Sequence, residues 1–465
     1  MVDTGSPHPD KTDIEAYILS EYIPAKPLSS NLEVSFTGEE QASSETCAQL
    51  RCGDFLKFPF ARSDSHRPTP AAIKGSKVLV AADKATGTKR VVELVLESSF
   101  DYQPGDTIAV VPSNSPEVVD ALLTRLNLKD KADAIFNLKL VLNCAKKNAK
   151  VPAHIPPTTT PREILTHCLA LGSVPQKQFL SALAGFTSND RERSFLAGLS
   201  SKQATDHYNS LILEQGLSFS DILDLCASCK PTLAFLAEHL PRLMPRPYSI
   251  ANSPLDSGVQ ELRIIYSQLS HKPGVTTSML EAKVQQADKQ PAKVVIYPRL
   301  SNSFRYTEQD LSSNQILIAV GTGLAPFLGF LEHKEQVLKQ QLHQDRGQSW
   351  LYVGAKTQEA LLKRDQLLAW QQSTVLSRLR TCYSRGDVPC YVQTLLEEDA
   401  DELVELLLKP ETVLYVCADG AKISQSIANG LGVCLQKALH LNEEEALRRL
   451  KELKTQGKYR EDVWL

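Results

Sequence analysis

Arg246-Pro247-Tyr248-Ser249 places a fixed cation, a flat aromatic with a polar tip and a small hydroxyl within four residues. A guanidinium suits a pyrophosphate, a tyrosine ring covers a planar ring system, and a serine hydroxyl can serve a heteroaromatic nitrogen. Read alone, the stretch is equally a strand with a buried tyrosine. Further along, Gly321-Thr322-Gly323-Leu324-Ala325-Pro326 follows an apolar run. Glycines there let backbone amides approach a phosphate, a following helix offers its positive end, and Pro326 fits a first turn. The pattern is not a complete G-x-G-x-x-G, and tight strand-to-helix turns use glycine anyway. Gly274-Val275-Thr276-Thr277 is a second phosphate-friendly helix start, or a simple N-cap.

Three more groups stand near the ends of apolar runs. Ser384 and Arg385, with Tyr391 and Gln393 shortly after, suit an adenosine 2′-phosphate: charge-assisted bonds from the arginine and stacking from the tyrosine. Taken separately, Arg385 reads as a solvated surface cation. Cys417-Ala418-Asp419-Gly420 closes another run, where a cysteine is ordinarily a small hydrophobe. Asp462-Val463-Trp464-Leu465 carries a tryptophan that could plug a groove or lie over a flat cofactor.

The elements that must position these groups are legible from period. KVLVAA, RVVELVL and TIAVVP are short β-runs, with a turn at Tyr102-Gln103-Pro104-Gly105-Asp106, and read as the beginning of a barrel. From Ser115 the period becomes helical, with Val118, Val119, Leu122, Leu123 and Leu126 on one face. Helix dominates to about residue 243, with breaks at VPAHIPPTTTP and SND. Then PYSIA, ELRIIYS and KVVIYP resume the β-pattern. Beyond residue 310, NQILIAV, SWLYVGA, LRTCYSR and TVLYVCA alternate with amphipathic helices, the pattern of a doubly wound parallel sheet. Such sheets bind ligands at the carboxyl ends of their strands. The expected architecture is α+β and multidomain. An N-terminal extension over 1–70, expected to be partly disordered, precedes an antiparallel β-barrel over 71–114 and 246–305. A helical insertion covers 115–245, and a doubly wound parallel α/β domain covers 306–465.

Composition bounds the rest. At 465 residues, 42% hydrophobic and 23% charged, the chain has room for two or three domains with ordinary cores. A net charge of -3 gives no global pull toward nucleic acid or acidic membranes. The start MVDTGSPHPDKTDIEAY lacks the features of a signal peptide or presequence. No apolar run approaches the ~18 residues needed to cross a bilayer. Ten scattered cysteines point to a reducing compartment, so the cytoplasm is expected. Cys226 and Cys229 make one C-x-x-C without a second pair at zinc spacing, and read as packing within a helix DILDLCASCKPTLAFLAEHL. No metal is expected.

Taken in order, R-P-Y-S, G-V-T-T-S, G-T-G-L-A-P-F, Y-S-R, Y-V-C and D-V-W resemble the FAD- and NADPH-binding, ferredoxin–NADP reductase-like module of the diflavin reductases. The likeness covers roughly 75–465. Within that family, R-P-Y-S and GLAPFLGFLEHKEQ look like the methionine synthase reductase versions. The resemblance implies a flavoprotein oxidoreductase. Arg246 would hold the FAD pyrophosphate, Tyr248 would cover one flavin face, and Ser249 would contact the reactive nitrogen. Gly274, Val275 and Thr277 would bind FAD phosphates. Arg299 and Thr322, with Gly321 and Gly323, would meet NADPH phosphates. Ser384, Arg385, Tyr391 and Gln393 would select the 2′-phosphate. Ser249, Cys417 and Asp462 would assist hydride transfer, with Asp419 in the coenzyme loop. Trp464 would shield the other flavin face and move for nicotinamide.

Departures qualify the coenzyme side. Ala319 and Ala418 stand where the family has glycine, each adding a methyl near a loop meant to approach the coenzyme. Pro389 or Cys390 occupies the place of a usual basic residue, Lys356 replaces an arginine and Ala355 a cysteine. Some 70 residues precede the barrel, too few for an FMN-binding flavodoxin-like domain, and they hold no S/T-x-T-G-x loop. Electron transfer to FMN within the chain is therefore not expected. The expected function is electron transfer from NADPH through FAD to a separate FMN- or flavodoxin-like protein, or to a methionine synthase-type partner. The alternative is an FAD-binding regulatory or interaction protein with weakened reductase activity.

Overall fold

The computed structural model describes residues 14–41, 61–62, 68–97, 100–142, 149–156, 158–255, 261–269, 273–300, 304–340 and 347–464, with the backbone alone at 38–41, 308, 419, 421 and 463–464. The chain forms two compact units, Met1–Pro59 with Pro112–Pro245, and Phe60–Val111 with Arg246–Leu465.

The first unit is mainly helical. Ser115 caps the helix Pro116–Arg125 by accepting from the Val118 amide, and Pro116 sits where a missing N–H costs nothing. Asn189, Ser218 and Thr232 cap three further helices with side-chain oxygens. Their apolar faces meet in a core that includes Leu122, Leu165, Phe179, Leu180, Phe219 and Phe235. Two features depart from the expected pattern. The strand Leu32–Gln41 lies in the segment read as an extension; it pairs antiparallel with Ala134–Leu140, which pairs with Thr158–Thr159. The single helix expected around the C-x-x-C is two, Phe219–Leu225 and Leu233–His239. Pro231 cannot continue a helix and biases its predecessor toward extended backbone. Cys226 and Cys229 are buried free thiols in the core, as their reading as packing requires.

The second unit holds two sheets. One is antiparallel and six-stranded, ordered Arg246–Ser249, Thr107–Val110, Lys293–Pro298, Thr69–Val80, Arg90–Glu97, Glu261–Gln268. Val92, Leu94 and Leu96 alternate onto one core with Ile264 and Ile296. A closed barrel was expected. The ladders form an open sheet whose edges meet at one isolated bridge, Ile250–Ile264. In the preceding turn, Gly105 has φ +84°, and a Cβ there would lie 2.3 Å from the Phe304 carbonyl oxygen. Only glycine fits that close approach.

The other sheet is parallel, ordered Arg378–Tyr383, Ser349–Ala355, Asn314–Val320, Thr412–Asp419, Tyr459–Trp464. Along its central strand Ile316 and Ile318 enter one core, while Leu317 and Ala319 enter the core on the other face. The chain runs outward from Asn314–Val320 through two strands, then crosses to Thr412–Asp419 on the other side. The strand order thus reverses between Val320 and Ala418, the place where doubly wound sheets leave a crevice for ligands. The fifth strand, Tyr459–Trp464, was not read from the sequence.

Candidate functional site

The loop after Asn314–Val320 is a tight turn, Gly321–Leu324, leading into the helix Ala325–Lys339. A Cβ on Gly323 would stand 2.1 Å from the Cys417 carbonyl oxygen, so the turn packs directly on the neighbouring strand end. Gly321 and Thr322, facing outward from this turn, line a cavity of about 490 Å³. Its other walls include Ser384, Tyr391 and Gln393, together with Lys89, Lys356, Lys422 and Ser426. Three lysines and no carboxylate line it beside apolar side chains such as Val80, Val320 and Ile423, so an anion there would meet positive charge and no fixed negative charge. Tyr391 is 54% exposed and offers a ring face. Gln393 donates to Ser426, which orders the wall between them.

The loop carrying Ser384 is held by backbone bonds. Ser384 N donates to Ala355 O at 3.0 Å, Arg385 N to Lys356 O at 2.7 Å, and Cys390 N to Tyr383 O at 3.0 Å. The Arg385 side chain is exposed and does not form part of the cavity wall. Lys422, Lys89 and Ser426 were not singled out in the sequence. Lys422 follows the Gly420 turn at the start of a 19-residue helix, a position that could have marked it. The cavity also bears on the two added methyls. Ala319 and Ala418 are fully buried, one in each core flanking the sheet, and neither lines the cavity.

A second group of residues forms where the two sheets of this unit meet the strand ends. Ser249 closes the edge strand Arg246–Ser249, paired through Thr107, and its hydroxyl is buried without a hydrogen-bond partner. Cys417 is fully buried and stands opposite Asp462 in the parallel register. Asp462 Oδ2 is likewise buried without a partner. Burial raises its carboxyl to about 6, against the Arg299 guanidinium and the Ser249 hydroxyl, which pull it down. The hydroxyl is therefore close to the carboxyl, although the two complete no hydrogen bond of ordinary geometry. Ser249, Cys417 and Asp462 are thus brought together. Arg299 acts on Asp462 and is not in the cavity wall, unlike Thr322, with which it was expected to act.

The remaining residues lie along the antiparallel sheet and its flank. Arg246 is exposed and Tyr248 half-buried on the same edge strand; burial raises the Tyr248 phenol to about 12, partly offset by Arg246. Gly274 is the N-cap of the helix Val275–Ala287, whose first amides receive no side-chain cap, and Thr277 Oγ1 donates back to Gly274 O at 2.9 Å, which leaves the Thr277 lone pairs free to accept. Asp419 and Trp464 stand opposite each other in register at the sheet's carboxyl edge. Their side chains, and hence the shielding expected of Trp464, lie outside the described residues.

These residues suit a flavin and a phosphorylated nicotinamide nucleotide. A buried hydroxyl without a partner fits a ring nitrogen, and an acid-free lysine cavity at the crevice fits a nucleotide phosphate. Residues 61–265 match the FAD binding domain, and residues 317–422 the oxidoreductase NAD-binding domain. The chain is 33% identical over 418 residues to the methionine synthase reductase of Rattus norvegicus, and 32% identical over 419 residues to that of Homo sapiens. Each alignment covers 83% of this chain and 60% of the relative. Identity to the NADPH–cytochrome P450 reductase of Drosophila melanogaster is 30% over 413 residues, covering 86% of this chain and 59% of that protein. The chain therefore spans about 60% of the length of these relatives. Its cofactors are FAD and NADPH, and the chain belongs to the oxidoreductases built from an FAD binding domain followed by an oxidoreductase NAD-binding domain.

Proposed function

We propose that this chain is an oxidoreductase that takes hydride from NADPH onto FAD and passes the electrons to a separate protein. The reading is carried by one juxtaposition: the Gly321–Leu324 turn faces the lysine-lined cavity and packs on Cys417, the register partner of Asp462. One turn thus links a phosphate receptor to the group of Ser249, Cys417 and Asp462. Lys422 and Lys89, with Ser384 and Gln393, would hold the 2′-phosphate, and Tyr391 would stack on adenine. Arg246 and the Val275–Ala287 helix start would bind FAD phosphates, with Tyr248 along the ring.

FAD, when bound, supplies the chemistry that divides a hydride pair into single electrons. Around it the chain's own residues orient and polarise. The Ser249 O–H would donate to the ring nitrogen that accepts hydride, with the nearby Asp462 carboxyl as its other acceptor. Asp462, with Arg299 beside it, would hold negative charge near the nicotinamide, whose positive charge grows as hydride leaves. Cys417, fully buried, would set the floor against which the ring stacks.

The acceptor proposed is an FMN- or flavodoxin-like protein, or a methionine synthase-type partner, in keeping with the names of the relatives. The cytoplasm is the proposed location, and no helix among the described residues is long and apolar enough to cross a membrane. A purely regulatory role finds less support, because the methyls of Ala319 and Ala418 point into the cores. An anaerobic NADPH titration of the flavin-loaded protein tests the reading. Bleaching of the flavin band at one equivalent is expected, and a band that never bleaches would overturn it.

A further inference from the structure

Cys382 and Cys390 are absorbed neither by the hydride site nor by the phosphate receptor, yet both line the coenzyme cavity. Cys382 is the one buried residue of the strand Arg378–Tyr383, and Cys390 lies beyond the loop that carries Ser384 and Arg385. The Cys390 amide donates to the Tyr383 carbonyl at 3.0 Å, which ties the two ends of that loop together. That bond, to the residue next to Cys382, sets the two cysteines side by side on the cavity wall. Both are free, and of the described cysteines Cys390 alone is not buried. Cys226 and Cys229 also neighbour each other, but both are buried, so a reagent in solvent reaches neither.

We propose that Cys382 and Cys390 are a redox modification site, forming a reversible disulfide that closes the coenzyme cavity to NADPH. The oxidant class is a low-molecular-weight disulfide such as oxidised glutathione. The Cys390 thiolate attacks one sulfur of that disulfide; its S–S bond breaks, and one small thiolate leaves. Cys382, losing its proton to solvent, then attacks Cys390 Sγ. The Cys382–Cys390 bond forms and the second small thiolate leaves. Two protein thiols are oxidised by two electrons, and one small disulfide is reduced to two thiols. Entry through Cys390 follows from its exposure. Burial and the adjacent Cys390 push the Cys382 thiol up to about 12, so the second displacement is the slow one.

The consequence for coenzyme follows from the loop. A disulfide sets the two sulfurs about 2 Å apart, well inside the contact distance of two thiols. The bond draws Cys390 inward, and Tyr391, the next residue, moves with it; Ser384 lies within the same closed loop. Displacing binding groups by about 1 Å costs one to two orders of magnitude, so NADPH KM should rise at least about tenfold. Bound coenzyme, filling the cavity, should slow the modification in turn.

The inference rests on the coenzyme reading of the cavity, and one experiment separates the two. Flavin-loaded protein is treated with oxidised glutathione, then digested with trypsin without reductant. Arg385 lies between the cysteines, so cleavage there leaves them on separate peptides. The expected product is a cross-linked pair lighter by two hydrogens, with NADPH affinity weakened at least about tenfold and restored by dithiothreitol. In Cys390→Ser, the ratio of NADPH affinity before and after treatment should fall to one, whereas Cys382→Ser should stop at the mixed disulfide on Cys390 and give no cross-link. Glutathione left on Cys390 without the cross-link overturns the proposal, and so does a cross-link that leaves NADPH affinity unchanged. If the cross-link forms but neither redox state binds NADPH, the coenzyme reading fails while the modification site stands.

Discussion

Replacing Asp462 by asparagine should stabilise the protein at pH 8 while slowing its chemistry. The carboxyl is raised from 3.8 to about 6 because burial outweighs the help of Arg299 and Ser249. A folded-state pKa above the unfolded one means that the proton binds the native state more tightly. Its stabilising effect is complete below about 4 and is lost as pH rises through about 6. Above that, the ionised carboxylate burdens the fold by roughly 3 kcal/mol, at about 1.4 kcal/mol per unit. Water reaching the partly exposed side chain lowers this to about 1–3 kcal/mol. Asparagine keeps the shape and cannot ionise, so Asp462→Asn should gain that amount at pH 8 and only about half of it at pH 5. Urea unfolding of the flavin-loaded proteins at the two pH values, with FAD in equal excess, measures the difference. Flavin reduction by NADPH should meanwhile slow by about tenfold or more, the loss of one charged interaction with the reacting ring. No gain at pH 8, or an equal gain at both pH values, would refute the reasoning.

Ser249→Ala should cost at most about 1 kcal/mol in urea at pH 8, the help its hydroxyl gives the Asp462 carboxylate, while flavin reduction slows by about tenfold; a large loss of stability with normal reduction would contradict the placement. Lys422→Ala should raise NADPH KM by about tenfold at low salt and leave NADH KM unchanged, because only one coenzyme carries the 2′-phosphate; equal effects on both would remove Lys422 from that subsite. Arg385→Ala, lying off the cavity wall, should raise NADPH KM less than Lys422→Ala does, and steady-state KM values for the pair decide their order. Ala319→Gly and Ala418→Gly should each lose about 1 kcal/mol in urea melts and leave NADPH KM within about twofold; a sharp rise in reductase activity would instead show that the methyls obstruct coenzyme.

Much of the fold was legible because apolar period is a direct record of burial. NQILIAV and TVLYVCA, apolar after their opening residues, are the central parallel strands. R-P-Y-S is itself an edge strand, and G-T-G follows directly after a central one. What was missed depends on distant partners or on side-chain direction. Tyr459–Trp464 reads YREDVW, too polar for a strand until Thr412–Asp419 is beside it. Leu32–Gln41 forms because Ala134–Leu140, a hundred residues on, supplies its ladder. The alternation of the central strand already assigns Ala319 to the face of Leu317, so its methyl could have been placed in the core from the sequence alone. Lys422 reads as an ordinary surface lysine, because nothing local shows that Lys89 and Lys356 converge on the same cavity.

In the proposed reaction, hydride passes directly from NADPH to FAD beside Ser249 and Asp462. Anaerobic stopped-flow mixing of the flavin-loaded protein with NADPH, and with NADPH deuterated at the transferring carbon, tests it most directly. Stoichiometric flavin reduction is expected, slower with deuterium and slower again in Ser249→Ala and Asp462→Asn. Flavin that stays oxidised, or reduction indifferent to both the isotope and the two substitutions, would contradict it.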